Sequence, residues 1–430
     1  MSLKKVLIVT YYWPPSGGSG VQRWLKFTKY LREFGYEPVI YTVKDPNYAL
    51  EDIKLIDDIP EGVKVLRRKI WEPNNLFSFF KKTKKKSAGF LDKEPSFLGK
   101  IMIYIRANYF IPDARSFWIK PSVKFLEKAI QDEDISLLIT TGPPHSLNVI
   151  GLKLKEKTNI PWIADFRDPW TEIDYFDALP LTKNSLDKHH NLEKSVVSTA
   201  DKILVIGNQM KLNFEKFTKN IKVIPNGFDT LETNSLDSKL SDKFSIVHIG
   251  LMNSDRNPTM LWEVIQELSI ENENFKKDYK VELIGVVAKE VHEQLDKYNI
   301  ENVELISYVP HDEVRAYQRN AQLLLLSVNN VKSAKGIITG KIFEYLQAKR
   351  PILAIGPTDG DLSDILNETN SGEIVNFGDK VKLKDVILNY YESYQKGQLN
   401  VNSTNIEKYH RKELTKLLAS EITAVLNKKK

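Results

Sequence analysis

The sequence predicts an α/β protein of two Rossmann-like domains that face each other across a cleft. Three observations support this fold class. Short β-rich apolar segments alternate with helical patterns, the alternation restarts once, and a polar stretch over 230–243 separates the two series. Strands that alternate with helices form parallel sheets. Because ligands of such sheets bind at the carboxyl ends of the strands, we expect the chemistry in the cleft.

The first series opens with the apolar strand 6–10, and residues 1–225 are assigned to the first domain. Apolar positions in 21–34 recur at helical spacing, which predicts the first helix. The remaining strands predicted for this domain are 38–43, 137–141, 162–165 and 202–206, and the remaining helices are 147–157 and 186–198.

The second series occupies residues 226–406, which we assign to the second domain. The last helix, 407–426, is long enough to return to the first domain, and we expect 407–430 to pack there. The strands predicted for the second domain are 245–249, 280–284, 303–306, 323–327 and 351–354, and the helices are 259–268, 291–298, 311–320 and 341–347.

The composition excludes several classes of site. The 430 residues include no cysteine, so disulfides, thiolate zinc sites and cysteine nucleophiles are excluded. No apolar run reaches the length of about 18 residues that a transmembrane helix needs. The apolar start of the chain is too short for a signal peptide, and we therefore expect a cytoplasmic protein.

Metal binding finds little support in the sequence. The seven histidines show no metal-ligand spacing, and the adjacent His189 and His190 point apart on a helix. Asp359 and Asp361 form an Asp-x-Asp pair, but the pair follows the second-domain strand 351–354. We expect neither a metal nor another cofactor.

A run of lysines lies between aromatic and aliphatic residues in 77–98. One interpretation is a solvated loop. The other is peripheral contact with the inner face of an anionic membrane. Nucleic acid is disfavoured because no nucleic-acid-binding motif accompanies the run. The residues concerned are Lys81, Lys82, Lys84, Lys85 and Lys86, flanked by Phe77, Phe79, Phe80, Phe90, Leu91, Phe97 and Leu98.

A glycine-containing loop joins the first strand to the first helix. Gly17 and Gly18 allow backbone amides to approach a ligand, and the helix N-terminus favours an anion. The loop fails as a dinucleotide fingerprint, because Arg23 occupies the position of the third glycine. A tight turn with no ligand is the alternative.

A second loop enters the predicted helix 341–347. Lys341 and Glu344 lie three residues apart and therefore on one helical face. Lys341 and the amides after Thr339 and Gly340 could hold a diphosphate, and the carboxylate could accept both hydroxyls of a ribose. A surface Lys–Glu pair without function is the alternative.

Polar residues also follow two strands of the first domain. His145 comes after strand 137–141, and Asp165, Arg167 and Asp168 come at the end of strand 162–165. This placement puts them at the predicted cleft edge. A buried ion network and a core histidine are the alternative interpretations.

In this order and spacing the motifs resemble those of the retaining GT-B glycosyltransferases of family 4, over essentially the whole chain. The motifs are the glycine loop, 225–229, 248–250 and 341–346 leading into 351–354. The resemblance implies that Glu344 binds the donor ribose, that Gly250 belongs to the donor site and that Gly17 and Gly18 line the cleft. The chain departs from the pattern at Gly336, where many relatives have glutamate, and at Leu251, where many have arginine.

The resemblance implies transfer of a sugar from a UDP- or GDP-sugar to a glycan or lipid-linked acceptor, with retention of configuration, in cell-surface polysaccharide synthesis. Arg256 and Lys341 would stabilise the leaving diphosphate. His145 or Asp168 would orient the acceptor hydroxyl, and Asp165 and Arg167 would lie on the acceptor side. A nucleotide-sugar epimerase of the same fold and a non-catalytic, membrane-associated binding protein are the alternatives.

Overall fold

The computed structural model describes residues 3–46, 48, 50–71, 97–174, 176, 178–229, 239–307 and 309–428. The predicted lysine run and five of the apolar residues around it, Phe77, Phe79, Phe80, Phe90 and Leu91, lie outside these ranges. The chain forms two compact units, of which unit 1 is Met1–Gly227 with Arg411–Lys430 and unit 2 is Phe228–His410.

Unit 1 contains a parallel sheet of seven described strands in the order β3-β2-β1-β4-β5-β6-β7. Its central strands are buried on both faces, as expected for a parallel sheet covered by helices. The strands are β1 Lys4–Val9, β2 Tyr36–Lys44, β3 Lys64–Lys69, β4 Ile135–Gly142, β5 Trp162–Phe166, β6 Lys202–Val205 and β7 Ile221–Val223. The helices are α1 Ser19–Leu31, α2 Phe97–Tyr109, α3 Ile119–Asp132, α4 Ser146–Thr158, α5 Lys183–Thr199 and α6 Asn208–Phe214.

Unit 2 repeats this architecture with six described strands in the order β10-β9-β8-β11-β12-β13, all parallel. The strands are β8 Phe244–Ile249, β9 Tyr279–Ile284, β10 Val303–Ile306, β11 Leu323–Ser327, β12 Ile352–Ile355 and β13 Gly372–Val375. The helices are α7 Thr259–Glu271, α8 Glu273–Asp278, α9 Lys289–Lys297, α10 His311–Asn320, α11 Lys341–Ala348, α12 Asp361–Thr369 and α13 Lys380–Gln395.

The last helix, α14 Arg411–Asn427, belongs to unit 1, as predicted. Leu414, Leu418 and Ile422 of α14 share a buried apolar cluster with Trp24 and Leu25 of α1. The prediction that this helix starts at 407 is wrong, because Ile406–Tyr409 forms a separate 3-10 turn.

The predicted fold class of two parallel-sheet α/β domains is confirmed. The sequence placed domain boundaries at 225/226 and 406/407, whereas the units divide after Gly227 and after His410. Among the described helices, none is both long and apolar enough to cross a bilayer.

Candidate functional site

A cluster of polar residues lies at the carboxyl edge of the unit 2 sheet. Gly250 follows β8 and Asn329 follows β11, and α11 begins beside them with Lys341. The Lys341 side chain is partly buried, and its Nζ lies 3.2 Å from Nε2 of His248. Lys341 therefore points toward the sheet.

Arg256 supplies a second cation to this cluster. Asn253 caps the 3-10 turn Ser254–Arg256 by accepting the Arg256 amide at 3.1 Å. The guanidinium donates from Nε to Oδ1 of Asn329 at 2.6 Å and from a terminal nitrogen to the Leu251 carbonyl at 3.5 Å. The structure thus brings together the two cations that the sequence predicted would act on one group.

Burial and the neighbouring Arg256 both act on the Lys341 amine. Burial lowers the pKa of Lys341 to about 7, and repulsion from Arg256 adds to this effect while Glu344 opposes it. Burial, followed by the charge of Lys341, holds the pKa of His248 well below its usual value. The site therefore contains a neutral imidazole and an amine that titrates near neutral pH.

Glu344 is exposed on the next turn of α11. Its Oε2 accepts a hydrogen bond at 3.2 Å from Nε2 of Gln318, which is buried on α10. Lys341 forms no ion pair with Glu344 within the described chain, so the surface-pair alternative does not describe these residues.

The loop before α11 carries the other predicted donor-side residues. The Lys341 amide donates to Oγ1 of Thr339 at 3.4 Å, and Gly340 has open space where a Cβ would stand. Gly336 ends a 3-10 turn ahead of this loop.

The Asp-x-Asp pair is divided between two environments. Asp359 pairs with Lys335 at 2.6 Å, whereas Asp361 is buried in the first turn of α12. The described residues contain no group of three or more potential metal ligands from histidine, cysteine, aspartate and glutamate.

Asp165 of unit 1 is the centre of a buried ion network. Its carboxylate is completely buried and accepts two hydrogen bonds from Arg23, at 2.9 and 3.2 Å. Trp24 and Thr141 each donate a further hydrogen bond at 2.8 Å. The sequence left open a buried ion network of Arg167 with Asp165 and Asp168, whereas the observed partner of Asp165 is Arg23. The network leaves Asp165 no free surface for direct contact with an acceptor.

Arg167 and Asp168 follow Asp165 in the loop after β5. The Arg167 guanidinium donates to the Gly20 carbonyl at 2.8 Å and to the Pro143 carbonyl, and its Nε has no partner among the described residues. Asp168 is partly buried, which raises the pKa of its carboxyl, while Arg167 opposes the rise. No hydrogen bond to the Asp168 carboxylate is present among the described residues.

His145 is almost completely buried before α4. Its ring stacks on Trp170 with centroids 4.8 Å apart and an interplanar angle of 5°, and its Nδ1 has no hydrogen-bond partner in the part of the chain that the structure describes. Burial lowers the pKa of His145 to about 3, so the imidazole is neutral at physiological pH.

Helix α5 holds the loop that carries Trp170. Its buried His189 accepts the Trp170 indole N–H at 3.1 Å, and Glu193, one turn later, accepts the amide of Thr171 at 3.2 Å and its hydroxyl at 2.6 Å. The sequence did not identify His189 and Glu193 as supports of this loop. Their spacing of four residues on a helix was the available signal.

The glycine loop of unit 1 lies at the N-terminus of α1. The Gly17 amide donates to the Leu50 carbonyl at 2.9 Å, and a Cβ at Gly17 would meet the Leu50 side chain at 2.9 Å. Gly18 has φ 82°, a conformation that favours glycine. Both glycines therefore have structural reasons to be present.

The predicted residues thus form one group in each unit. Gly250, Arg256 and Lys341 are in mutual contact or electrostatic interaction in unit 2, with Glu344 one helical turn away. The sequence did not predict the residues that these side chains contact. In unit 2 these are His248, Asn329 and Gln318, and in unit 1 they are Arg23 and Trp170.

One curated protein and many solved structures resemble the chain. No protein-family model matches the chain. One curated relative is 22% identical over 205 residues, which are 46% of this chain and 54% of the relative. It is the Campylobacter jejuni GalNAc-α-(1→4)-GalNAc-α-(1→3)-diNAcBac-PP-undecaprenol α-1,4-N-acetyl-D-galactosaminyltransferase. The chain spans about half the length of this relative.

Solved structures resemble the whole chain. A variant of Staphylococcus aureus TarM, in complex with fondaparinux, α-GlcNAc-glycerol and UDP, matches at TM-score 0.58 and 13% identity over 99% of this chain and 100% of that one. Sucrose-phosphate synthase from Thermosynechococcus elongatus matches at TM-score 0.57 and 12% identity over 99% and 97%. A candidate UDP-N-acetylglucosamine 2-epimerase from Listeria monocytogenes matches at TM-score 0.51 and 11% identity over 99% and 97%. The fold of the chain is the GT-B fold.

Proposed function

We propose that this protein is a glycosyltransferase that moves a sugar from a UDP- or GDP-sugar to a glycan or lipid-linked acceptor, with retention of configuration. The observation that carries the proposal is the cluster of Arg256 and Lys341 beside the exposed Glu344 at the carboxyl edge of the unit 2 sheet. Two cations and a carboxylate at that spacing suit the diphosphate and the ribose of one nucleotide.

The donor would bind with its diphosphate against Lys341 and Arg256. The carboxylate of Glu344 would accept hydrogen bonds from the two ribose hydroxyls, and Gln318 would hold that carboxylate in place. The similarity to structures that contain UDP supports a nucleotide ligand and leaves the choice of base to experiment.

In the reaction, the bond between the anomeric carbon and the diphosphate oxygen breaks while a bond to the acceptor oxygen forms on the same face. Negative charge grows on the departing diphosphate, and Arg256 and Lys341 would stabilise it. The acceptor proton would pass to the departing phosphate oxygen, so the step needs no separate base. No metal enters this scheme.

Residues of unit 1 would bind the acceptor. The Asp168 carboxylate accepts no hydrogen bond from the described residues and would accept one from an acceptor hydroxyl. The neutral His145, and Arg167, whose Nε lacks a partner among those residues, lie near the same loop. Asp165, in β5 just before this loop, would hold the start of the loop through its buried hydrogen bonds to Arg23, Trp24 and Thr141, instead of contacting the acceptor.

The setting would be cell-surface polysaccharide synthesis on a lipid carrier. The curated relative acts on a PP-undecaprenol-linked saccharide, as its name states. Peripheral contact with an anionic membrane through 77–98 fits such an acceptor. Phe97 and Leu98, the described apolar residues of that stretch, are 77% and 71% exposed.

A thermal-shift titration with UDP, GDP, ADP and CMP tests the proposal. One nucleotide at a hundred times its dissociation constant should stabilise the wild type by about 2.7 kcal/mol, and Glu344→Ala should lose most of that response. Glu293→Ala, which removes an exposed carboxylate on α9, is the matched control and should respond like the wild type. No response to any nucleotide would reject the transferase and favour a non-catalytic binding protein.

A nucleotide-sugar epimerase is the second candidate, because the Listeria structure shows that candidate epimerases share the fold. An epimerase converts its nucleotide sugar without an acceptor. Incubation with the donor alone therefore separates the two, since a transferase leaves the sugar configuration unchanged.

A further inference from the structure

The partners of the buried His248 indicate which ring nitrogen carries the hydrogen. Its side chain lies in β8 with 1% exposure, and Nδ1 lies 3.1 Å from the Leu325 carbonyl oxygen. Because a carbonyl only accepts, Nδ1 carries the hydrogen, and Nε2 is left with a lone pair. That lone pair accepts from Nζ of Lys341 at 3.2 Å.

The backbone at Gly250 also lies against the Lys341 amine. Gly250 has φ 110°, and a Cβ on it would lie 3.1 Å from Nζ of Lys341. The lysine therefore lies along the glycine, with its amine against the imidazole. The partner of this amine is thus the neutral imidazole of His248, where a buried lysine commonly has a carboxylate.

The charges around Lys341 disfavour its ammonium form. Arg256 faces it from the turn after β8. His248 contributes no charge, since burial first, and then Lys341 and Arg256, lower the pKa of His248. Among the described carboxylates, Glu344 on the same helix is the one that raises the pKa of Lys341. It lies beyond ion-pair distance from the amine. Burial and Arg256 together lower the pKa of Lys341 to about 7.

We propose that His248 is a positioning residue that holds Lys341 at the donor-phosphate site, and that binding of a nucleoside diphosphate there takes up a proton. The inference rests on the proposed function, because it assumes that the diphosphate lies against Lys341. The anionic diphosphate supplies the counter-charge that the free site lacks, and the amine then takes a proton from solvent.

The sign of the pH dependence follows from this linkage. Binding is strongest where Lys341 is already charged, below a pH of about 7, and weakens as the pH rises through that value. One coupled proton corresponds to about a tenfold loss of affinity per pH unit above it. At pH 8 the free amine is about nine-tenths neutral, so binding should take up about 0.9 proton.

Calorimetry with the nucleotide diphosphate that binds in the thermal-shift screen measures this uptake directly. Titrations at pH 8 in three buffers of different ionisation enthalpy give the protons taken up per ligand. At this pH the ligand phosphate is fully ionised, since its second pKa is about 6. The wild type should take up about 0.9 proton, and Lys341→Arg, whose guanidinium stays charged, should take up none.

Two variants of His248 test the positioning role. His248→Leu removes the acceptor, so we expect about tenfold weaker binding at pH 7 and a loss of affinity that begins at lower pH. His248→Gln keeps an acceptor near the Nε2 position and should restore the affinity to within about threefold. Thermal unfolding without ligand shows whether either variant is folded, and a purely structural histidine would leave the pH profile of the affinity unmoved.

The outcomes separate the two proposals. A wild type that binds the nucleotide with no proton uptake at pH 8 overturns this inference and leaves the proposed function standing. The same affinity and pH profile in His248→Leu as in the wild type would remove His248 from the site. Failure of every nucleotide to bind the wild type overturns the proposed function, and this inference with it.

Discussion

Gly250 makes room for Lys341: a Cβ atom on Gly250 would lie 2.7 Å from Cε of Lys341 and 3.1 Å from its Nζ. The same residue has φ 110°, a backbone conformation that side chains disfavour. Glycine is therefore required twice at this position, once by the backbone and once by the amine beside it.

Gly250→Ala should displace Lys341 from the proposed diphosphate site. We expect at least tenfold weaker nucleotide binding, together with about 1–3 kcal/mol of lost stability from the strained backbone. Calorimetric titration and thermal unfolding measure the two effects. Gly397→Ala is the matched control, because Gly397 also has positive φ, at 64°, with open space around it. Equal binding by both variants would contradict the placement of Lys341.

Gln318 should matter through Glu344. Gln318→Leu removes the amide that donates to Oε2 of Glu344 at 3.2 Å, so the carboxylate is free to turn away from the ribose position. Because Glu344 is exposed and water can replace the lost hydrogen bond, we expect only about fivefold weaker nucleotide binding. Fluorescence or calorimetric titration measures it.

Gln395→Leu serves as the control for this change. Gln395 donates to the Tyr391 hydroxyl at 3.1 Å on α13, so its loss removes a comparable hydrogen bond elsewhere in unit 2. Wild-type affinity in Gln318→Leu would show that Glu344 needs no support or binds no ribose.

The sequence predicted those parts of the site that depend on the spacing of residues within one segment. Lys341 and Glu344 lie on one short helix after a glycine-containing loop, so their neighbourhood could be inferred without a fold. Arg23 and Asp165 are 142 positions apart, and only the pairing of β4 with β5 and the packing of α1 bring them together. No periodicity within either segment carries that information.

The missed elements have a similar physical cause. Strand β3, with the sequence Lys-Val-Leu-Arg-Arg-Lys, is at the edge of its sheet and carries no fully buried residue, so it lacks an apolar signature. His248 belongs to the motif 248–250, but no pattern in a buried strand indicates that the imidazole will contact a lysine 93 positions later.

Asp165→Asn should destabilise the protein through unit 1. The substitution leaves the buried Arg23 guanidinium without its counter-charge, and breaking a buried pair costs about 3–5 kcal/mol. Denaturant unfolding measures the loss. Asp58→Asn is the control, since its pair with Lys26 at 2.8 Å is partly exposed and worth about 1 kcal/mol or less. A small effect of Asp165→Asn, comparable with the control, would contradict the structural role of the network.

The buried histidines of unit 1 should make the protein lose stability as the pH falls below about 6.5. Burial lowers the pKa of His145 to about 3 and that of His189 to about 4, whereas in the unfolded chain histidine titrates near 6.5. The unfolded state therefore binds more protons between these values, and each histidine should contribute a slope of about 1.4 kcal/mol per pH unit.

His189→Gln should remove one of these two slopes while an amide oxygen remains to accept the Trp170 indole N–H. Urea unfolding at half-unit steps from pH 7 to pH 5 measures the slope, and the difference between variant and wild type cancels the contribution of the carboxylates. His292→Gln, at an exposed position on α9, should keep the wild-type slope. An unchanged slope in His189→Gln would mean that His189 is already protonated in the folded protein. In that case the contact with Trp170 could not have the imidazole as the acceptor, because a protonated ring has no lone pair on Nδ1.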